Sequence, residues 1–348
     1  MARSRRTILG FLLMRKSPER PRQTARSQPH KARPRKKQQL VSIIGAGRMG
    51  TALGLALKAA GYRVEIVVAQ RPDHARRAAK AIGGATLGLS AKQLSRLNPT
   101  QLDRLSNSSL VLITTPDDAI AEVAGRVTMI FKSVGARKAR SRRIAMHTSG
   151  ALSSEVLRPL QGAGFATGSL HPLVSISDSR SGAKSFARAF FSVEGDPAPV
   201  RLAKSIIRDF GGQAFTIKAR HKSLYHAAAV MASPHLVALY DIAQEMLAHC
   251  GFTPGRARRV LLPLMESTVA NLSKQNPATA LTGTFKRGDV ATVRRHLAAM
   301  ESEGLRNALA AYRLLGKRSI DLARKAGVKK SELDQIERLI EEFASFTV

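Results

Sequence analysis

The chain has 348 residues, a formal net charge of +33, 44% hydrophobic residues and one cysteine, Cys250. That length holds one large core or, on the usual domain size, two domains. A single cysteine excludes an internal disulfide and, without a Cys-x-x-Cys pair, a zinc ribbon or redox dithiol, so no metal site is expected. No uninterrupted apolar run approaches the roughly 20 residues of a membrane span, so the expectation is a soluble, cytoplasmic protein without membrane contact.

Much of the charge is local. The first 38 residues carry 13 Lys and Arg against Glu19 alone, and the remaining chain is basic as well. Such charge attracts phosphate-rich partners in general, dinucleotides and nucleic acids alike. Residues 1–38 read as a solvated, disordered tail or an overlong gene start, touching nucleic acid only non-specifically. Ser4-Arg5-Arg6-Thr7 before Ile8-Leu9 is similar to a twin-arginine export signal, but Arg15 and Lys16 cut the apolar stretch short and no small-residue cleavage site follows.

Order begins at Leu40-Val41-Ser42-Ile43-Ile44, an apolar, β-branched run that predicts a buried strand. A glycine-rich turn follows, then a helix over Thr51 to Ala60 and a second strand over Tyr62 to Ala69. Ser109 to Thr114 and Arg143 to His147 predict later strands of the same sheet, joined by Phe165 to Leu170 and Phe190 to Glu194. After Gly195 the pattern is helical over Val200 to Phe210, Lys222 to Cys250, Pro254 to Lys274, Thr292 to Leu315 and Ser331 to Phe346, with Ala214 to Ile217 the one candidate strand. The expected organisation is therefore a tail (1–38), a doubly wound, mostly parallel α/β Rossmann domain (39–196) and an all-α domain (197–348) for substrate and dimerisation.

Gly45-Ala46-Gly47-Arg48-Met49-Gly50 is a full G-x-G-x-x-G placed between strand and helix. Gly45 permits the tight turn, Gly47 lets the backbone approach a pyrophosphate and Gly50 allows close helix packing. The helix N-terminus offers N–H groups and positive potential to the anion. At the end of the second strand, where an NAD site carries an acidic residue for the ribose, this chain has Ala69-Gln70-Arg71. Arg71 suits the 2′-phosphate of NADP, which favours NADP over NAD; the alternative is an ordinary surface arginine. Thr114-Thr115-Pro116-Asp117 ends another strand at the ligand edge of the sheet, so Thr115 and Pro116 are expected beside the dinucleotide, with Asp117 capping the next helix.

Three stretches carry polar residues where folding alone gains little from them: His147-Thr148-Ser149-Gly150-Ala151, Ser169-Leu170-His171-Pro172-Leu173, and Lys222-Ser223-Leu224-Tyr225-His226. At 100° per residue Lys222, His226, Ala229 and Ser233 share one stripe while Leu224, Ala228 and Met231 face away. That stripe could line a pocket with a general acid and a hydrogen-bond donor, burial and neighbouring positive charge lowering the lysine's pKa. The alternatives are a solvated lysine at a helix start and satisfied structural histidines at 147 and 171. Glu266, Ser267 and Asn271 are further candidates. In the segment from Leu281 to Asp289, Arg287 could clamp a substrate carboxylate, and Asp289 could orient it or cap a helix.

With these residues in hand, the sequence resembles a bacterial family of Rossmann-like proteins bearing a C-terminal domain of unknown function, the DUF2520 type. The likeness spans about Val41 to Leu315 and rests on Gly45 to Gly50, His147-Thr148-Ser149-Gly150, His171-Pro172-Leu173, Tyr225-His226-Ala227-Ala228-Ala229, Ala280-Leu281-Thr282-Gly283 and Arg287-Gly288-Asp289. More distantly it is similar to β-hydroxyacid dehydrogenases and ketopantoate reductases, whose Lys-x-x-x-Asn helix is matched by Lys222-x-x-x-His226. Ser149 and His171-Pro172 are similar to elements of prephenate dehydrogenases. The resemblance implies a 6-phosphogluconate-dehydrogenase-like helical domain, a homodimer and hydride transfer between NADP and a small carboxylate, a 2-oxo or 3-hydroxy acid. In that expectation Lys222 moves the proton, His226 and Ser149 hold the oxygen, His171 assists, and Ser233, Arg287 and Asp289 meet the substrate. Rival expectations are an imine reductase of the pyrroline-carboxylate type, a deazaflavin-linked reductase, a non-catalytic NADP sensor and a nucleic-acid-associated protein. The last is opposed by the lack of Trp and by 5% aromatics.

Overall fold

The computed structural model describes residues 39–134 and 143–343; the expectations for the basic tail lie outside them. Eight strands form one sheet: β1 (Leu40–Ile44), β2 (Arg63–Ala69), β3 (Leu87–Ser90), β4 (Leu110–Ile113), β5 (Arg143–His147), β6 (Phe165–Pro172), β7 (Phe190–Gly195) and β8 (Gln213–Thr216). Their order is β3-β2-β1-β4-β5-β6-β7-β8. All neighbours are parallel except β6 and β7. The chain reverses direction across the sheet between β1 and β4, the switch point at which doubly wound sheets bind ligands.

Alternation along the strands builds two apolar faces. Val41, Ile43, Leu112 and Met146 pack with α1 (Arg48–Ala59), α2 (Pro72–Ile82) and α4 (Pro197–Phe210). Ile44, Val111, Ile113 and Ala145 pack with α3 (Asp117–Val134). β3 has no counterpart among the expected strands because its glycine-bearing sequence lacks the apolar run; Gly88 is required there, since a Cβ would lie 2.5 Å from the Ala75 carbonyl on α2. The expected division at 196/197 falls inside the sheet, because α4 returns the chain to add β8 beside β7.

The helical part comprises α5 (Lys222–Ala232), α6 (Pro234–His249), α7 (Pro254–Leu272), α8 (Val290–Ser302), α9 (Arg306–Lys325) and α10 (Lys330–Glu342). Two expected helices are each two. The 222–250 helix breaks at Ser233, whose φ of −129° and ψ of −73° leave the helix as Pro234 starts the next one; proline lacks the N–H and disfavours helix at the preceding residue. The 292–315 helix breaks at Gly304, with φ +67°. The expected end at Phe346 lies outside the described residues. Val293, Leu297, Leu309, Ile320, Leu333 and Ile336 form the core of α8 to α10, and no described helix is long and apolar enough to cross a membrane.

Candidate active site

The glycine loop joins β1 to α1 at the switch point. Gly45 has φ +116°, and a Cβ on it would lie 2.5 Å from the Thr114 carbonyl carbon. A Cβ on Gly50 would lie 2.1 Å from the Gly45 oxygen, so β1, β4 and the start of α1 meet closer than side chains allow. Gly47 differs: nothing lies within 4 Å of its Cβ position, leaving open space. It is the N-cap of α1 and supplies no side-chain cap, so the first-turn amides of Arg48, Met49 and Gly50 have no intrahelical acceptor. Ala46 is buried and donates its amide to the Val68 carbonyl at 2.7 Å. Thr115 Oγ1 is buried without a hydrogen-bond partner, and Pro116 is exposed at the rim. Orphaned donors, open space at one glycine and an orphaned hydroxyl together fit a pyrophosphate-bearing dinucleotide. Arg71 is exposed at the end of β2 beside His74; its Nε is 3.8 Å from Asp73, which also holds Arg77 at 3.0 Å.

A polar seam lies at the far end of the switch. Register places His147, Ser169 and Glu194 in one row across β5, β6 and β7, and His171 beside Ser192 in the next. The period-2 alternation of β6 puts Ser169 and His171 on one face. α5 lies across this seam with Lys222, Tyr225 and His226, while Leu224 and Met231 point away and are exposed.

Two expected participants are closed off. Lys222 is 0% exposed; its Nζ donates to the Ser149 carbonyl at 3.1 Å and to Ser169 Oγ at 2.7 Å. Ser169 donates in turn to Glu194 Oε2 at 3.2 Å, and Glu194 also accepts from Ser154 N and Oγ at 2.8 and 2.6 Å. Burial pushes the Lys222 pKa down to about 8 against the opposing pull of Glu194 and Asp117, leaving the ammonium mostly charged at neutral pH. A buried ammonium with these partners clamps α5 to the sheet. Ser149 is saturated: its hydroxyl donates to Asp117 Oδ2 at 2.7 Å and accepts from the amides of Ala151 and Leu152 at 3.1 and 2.9 Å. It ties the β4 loop to the β5 loop and has no lone pair left for a substrate.

The open part of the seam belongs to the histidines. His171 and His226 are half-buried with ring centroids 5.6 Å apart, and a Cβ on Gly150 would lie 2.3 Å from His226 Cδ2 and 2.9 Å from His171 Nε2. His171 Nδ1 is 2.8 Å from the Tyr225 hydroxyl; Nε2 has no hydrogen-bond partner among the described residues and is not sealed. Burial, then His226 and Lys222, lowers the His171 pKa to about 4. His147 is a structural histidine: fully buried, it accepts the Ser149 amide on Nδ1 at 3.1 Å, leaving Nε2–H for the Ser153 carbonyl at 3.2 Å. Burial foremost lowers its pKa to about 3.

These two neutral histidines make a prediction. Both bind a proton near pH 6.5 when unfolded and only near 3 to 4 when folded, so the unfolded chain binds more protons between those limits. Stability should be full above about pH 6.5 and fall by several kcal/mol as pH drops towards 4. Urea midpoints across that range check this, and His147→Gln should flatten the slope; a flat wild-type profile contradicts it.

The remaining expected residues lie apart from the seam. Ser233 sits at the break before Pro234 and so leaves the stripe shared by Lys222 and His226. Asp289 caps α8, accepting the Thr292 amide at 3.0 Å; Arg287 is exposed, 4.0 Å from Asp289. Gly288 between them packs against Glu332 of α10. The described residues contain no cluster of three or more His, Cys, Asp or Glu suited to a metal. Sequence reasoning missed Glu194, Ser192 and the partnership of Asp117 with Ser149. The first two carried a readable signal, since Ser192 and Glu194 alternate on β7 as Ser169 and His171 do on β6.

Comparison with known proteins accords with this layout. Residues 26–172 match a Rossmann-like domain model, and residues 189–319 match a domain of unknown function, DUF2520. No curated protein sequence matches the chain. Among solved structures, a Bacteroides fragilis protein described as an NADP oxidoreductase is 22% identical, with TM-score 0.61 over 83% of this chain and 98% of its own. Protein TM1727 of Thermotoga maritima is also 22% identical, with TM-score 0.55 over 88% and 98%. A pyrroline-5-carboxylate reductase of Coxiella burnetii is 14% identical, with TM-score 0.50 over 87% and 98%. At these identities the likeness defines the fold. A Rossmann sheet with its glycine loop at the switch point, continued into helices that match the second model, makes this chain a Rossmann-like protein with a C-terminal DUF2520 domain.

Proposed function

We propose that the protein is an NADP-dependent oxidoreductase moving a hydride between the nicotinamide and an oxygen-bearing carbon of a small carboxylate, a 2-oxo or 3-hydroxy acid. The observation that carries this reading is His171: a neutral imidazole with an unpartnered, unsealed Nε2, set past the cofactor loop at the ligand edge of the sheet. Bound at Gly45 to Gly50, the cofactor supplies the hydride. His171 takes the proton-moving place that the sequence assigns to Lys222, and His226 faces it across Gly150 as the second donor. The Lys222 ammonium, which acts on His171, is a positive charge behind the seam. Such a charge stabilises a developing alkoxide and opposes a cationic imine. The name of the Bacteroides fragilis structure and the presence of Arg71 at the end of β2 support NADP over NAD.

The imine reading keeps one observation in its favour: Lys222, the acid expected for a carbonyl substrate, is sealed. Titration of NADPH and NADH into the protein, followed by 2-oxo acids and cyclic imines with reduced-nicotinamide absorbance as readout, separates the two. NADPH binding with turnover of an oxo acid is the expected result. Turnover of imines alone transfers the assignment to imine reduction, and no binding removes the cofactor assignment.

The helices supply the dimer. α6 buries no residue in its own chain and α7 buries only Ala257, while Val237 is 68% exposed and Leu264 63%. Helices this apolar hold together only when another surface covers them, and a second copy is the proposed cover. Sedimentation should show a dimer that Val237→Asp with Leu264→Asp disrupts. A monomeric wild type ends this part of the reading. The single, exposed Cys250 suits the reducing cytoplasm.

A further inference from the structure

We propose that Tyr225 sets the tautomer of His171, holding the imidazole proton on Nε2, the nitrogen that faces the substrate space. Tyr225 is thus a positioning residue, and the proposal rests on His171 as the proton-moving group. The arrangement begins in the sheet. His171 on β6 pairs with Ser192 on β7, and Ser192 pairs with Phe215 on β8, so the three side chains form a transverse row on one face. α5 crosses that row and sets the Tyr225 ring edge-on to two of them, 5.7 Å from His171 and 5.8 Å from Phe215. The ring is therefore held from two sides, and its hydroxyl arrives 2.8 Å from Nδ1.

A neutral imidazole has one N–H to place, and whatever bonds one nitrogen decides the state of the other. If the phenol donates to Nδ1, the proton stays on Nε2; if Nδ1 donates to the phenol oxygen, Nε2 is a bare acceptor. The acidities of the two groups decide between them: the phenol O–H is the more acidic donor and the unprotonated imidazole nitrogen the more basic acceptor, so across the 2.8 Å contact the phenol donates to Nδ1. The Ser192 hydroxyl, beside His171 in the row, is fully buried and has no hydrogen-bond partner. Burial raises the Tyr225 pKa, which keeps that proton on the phenol, while burial, His226 and Lys222 keep Nδ1 unprotonated. The groups facing His171 are then Tyr225, His226 and Lys222 from α5, Ser192 from β7, and Gly150 from the loop after β5. Only the Nε2 edge, beside Gly150, is left without a partner.

Donation from the Tyr225 hydroxyl to Nδ1 leaves His171 with an Nε2–H ready for a substrate oxygen. Tyr225→Phe keeps the ring contacts and removes the direction.

Long-range proton–nitrogen correlation spectra of the full chain with isotope-labelled histidine read this directly, with His171 assigned by the signal lost in His171→Gln. The wild type should show Nε2 protonated and Nδ1 bare. Tyr225→Phe should give a mixture of both tautomers at an unchanged thermal midpoint. With a turned-over substrate, Tyr225→Phe should lower kcat by at least about tenfold and change KM little, because the lost element is proton placement and not binding. An Nδ1–H tautomer in the wild type, or an unchanged tautomer in Tyr225→Phe, overturns the proposal. The expected spectra without turnover of any oxo acid would count against the substrate reading alone.

Discussion

Gly47→Ala is expected to leave the fold nearly intact while weakening NADPH binding by at least about 30-fold, a loss of about 2 kcal/mol. Gly47 has φ −76° and ψ −165°, an extended conformation that alanine adopts freely, and its Cβ would meet no protein atom within 4 Å. Only the modest cost of alanine at an N-cap remains, about 1 kcal/mol, or a midpoint lowered by roughly 1–2 °C in a chain of this size. A pyrophosphate lying on the first-turn amides of α1 would occupy that open space, so the added methyl would displace it. Gly50→Ala is the contrasting variant: its Cβ lies 2.1 Å from the Gly45 oxygen and 2.5 Å from Thr114 Oγ1, so stability and binding should fall together. Calorimetric midpoints and fluorescence titrations on the pair give the answer. A Gly47→Ala protein that binds NADPH like the wild type removes the dinucleotide from this loop.

Lys222→Met should destabilise the protein by about 3–5 kcal/mol, the typical cost of stripping one partner from a buried charged set. The ammonium is 0% exposed between Ser169 Oγ and the Ser149 carbonyl, and Glu194 and Asp117 are the carboxylates it balances. Removing it leaves Glu194 held by Ser154 and Ser169 but without a cation, and frees the start of α5 from the ends of β5 and β6. Adding Glu194→Gln to Lys222→Met should recover part of the loss, because the two sites share one network. A coupling of about 1–3 kcal/mol in a denaturant double-mutant cycle is expected. A Lys222→Met protein with wild-type stability and no activity would restore the lysine as the acid and displace His171.

The Rossmann part was readable because its signals are local. A β-branched run, three glycines at fixed spacing and a following helix specify each other within about 20 residues, and register in a parallel sheet follows from the apolar face. The helix break at Pro234 was equally local and is visible in the sequence; the expected continuous helix gave the apolar pattern more weight than the missing N–H. β8 was foreshadowed by Ala214 to Ile217, yet four residues of mixed polarity do not say which sheet they join.

The sequence by itself determined the strand–turn–helix whose glycine loop fits a pyrophosphate, the stripe on α5 that brings Lys222 and His226 to one side, and the polar character of the β5 and β6 ends. Only the tertiary structure decided which of those polar groups remain available. Lys222 and Ser149 have the residue types of a reaction site, but the protons they donate go to partners 32 to 73 positions away in sequence, and the Ser149 hydroxyl accepts from two neighbouring amides. His171 keeps Nε2 because its neighbours, Tyr225 at 54 positions and Gly150 on another loop, take Nδ1 and leave a gap. Hydrogen-bonding capacity belongs to a residue type, whereas its availability depends on which distant strands and helices the fold places within about 3 Å.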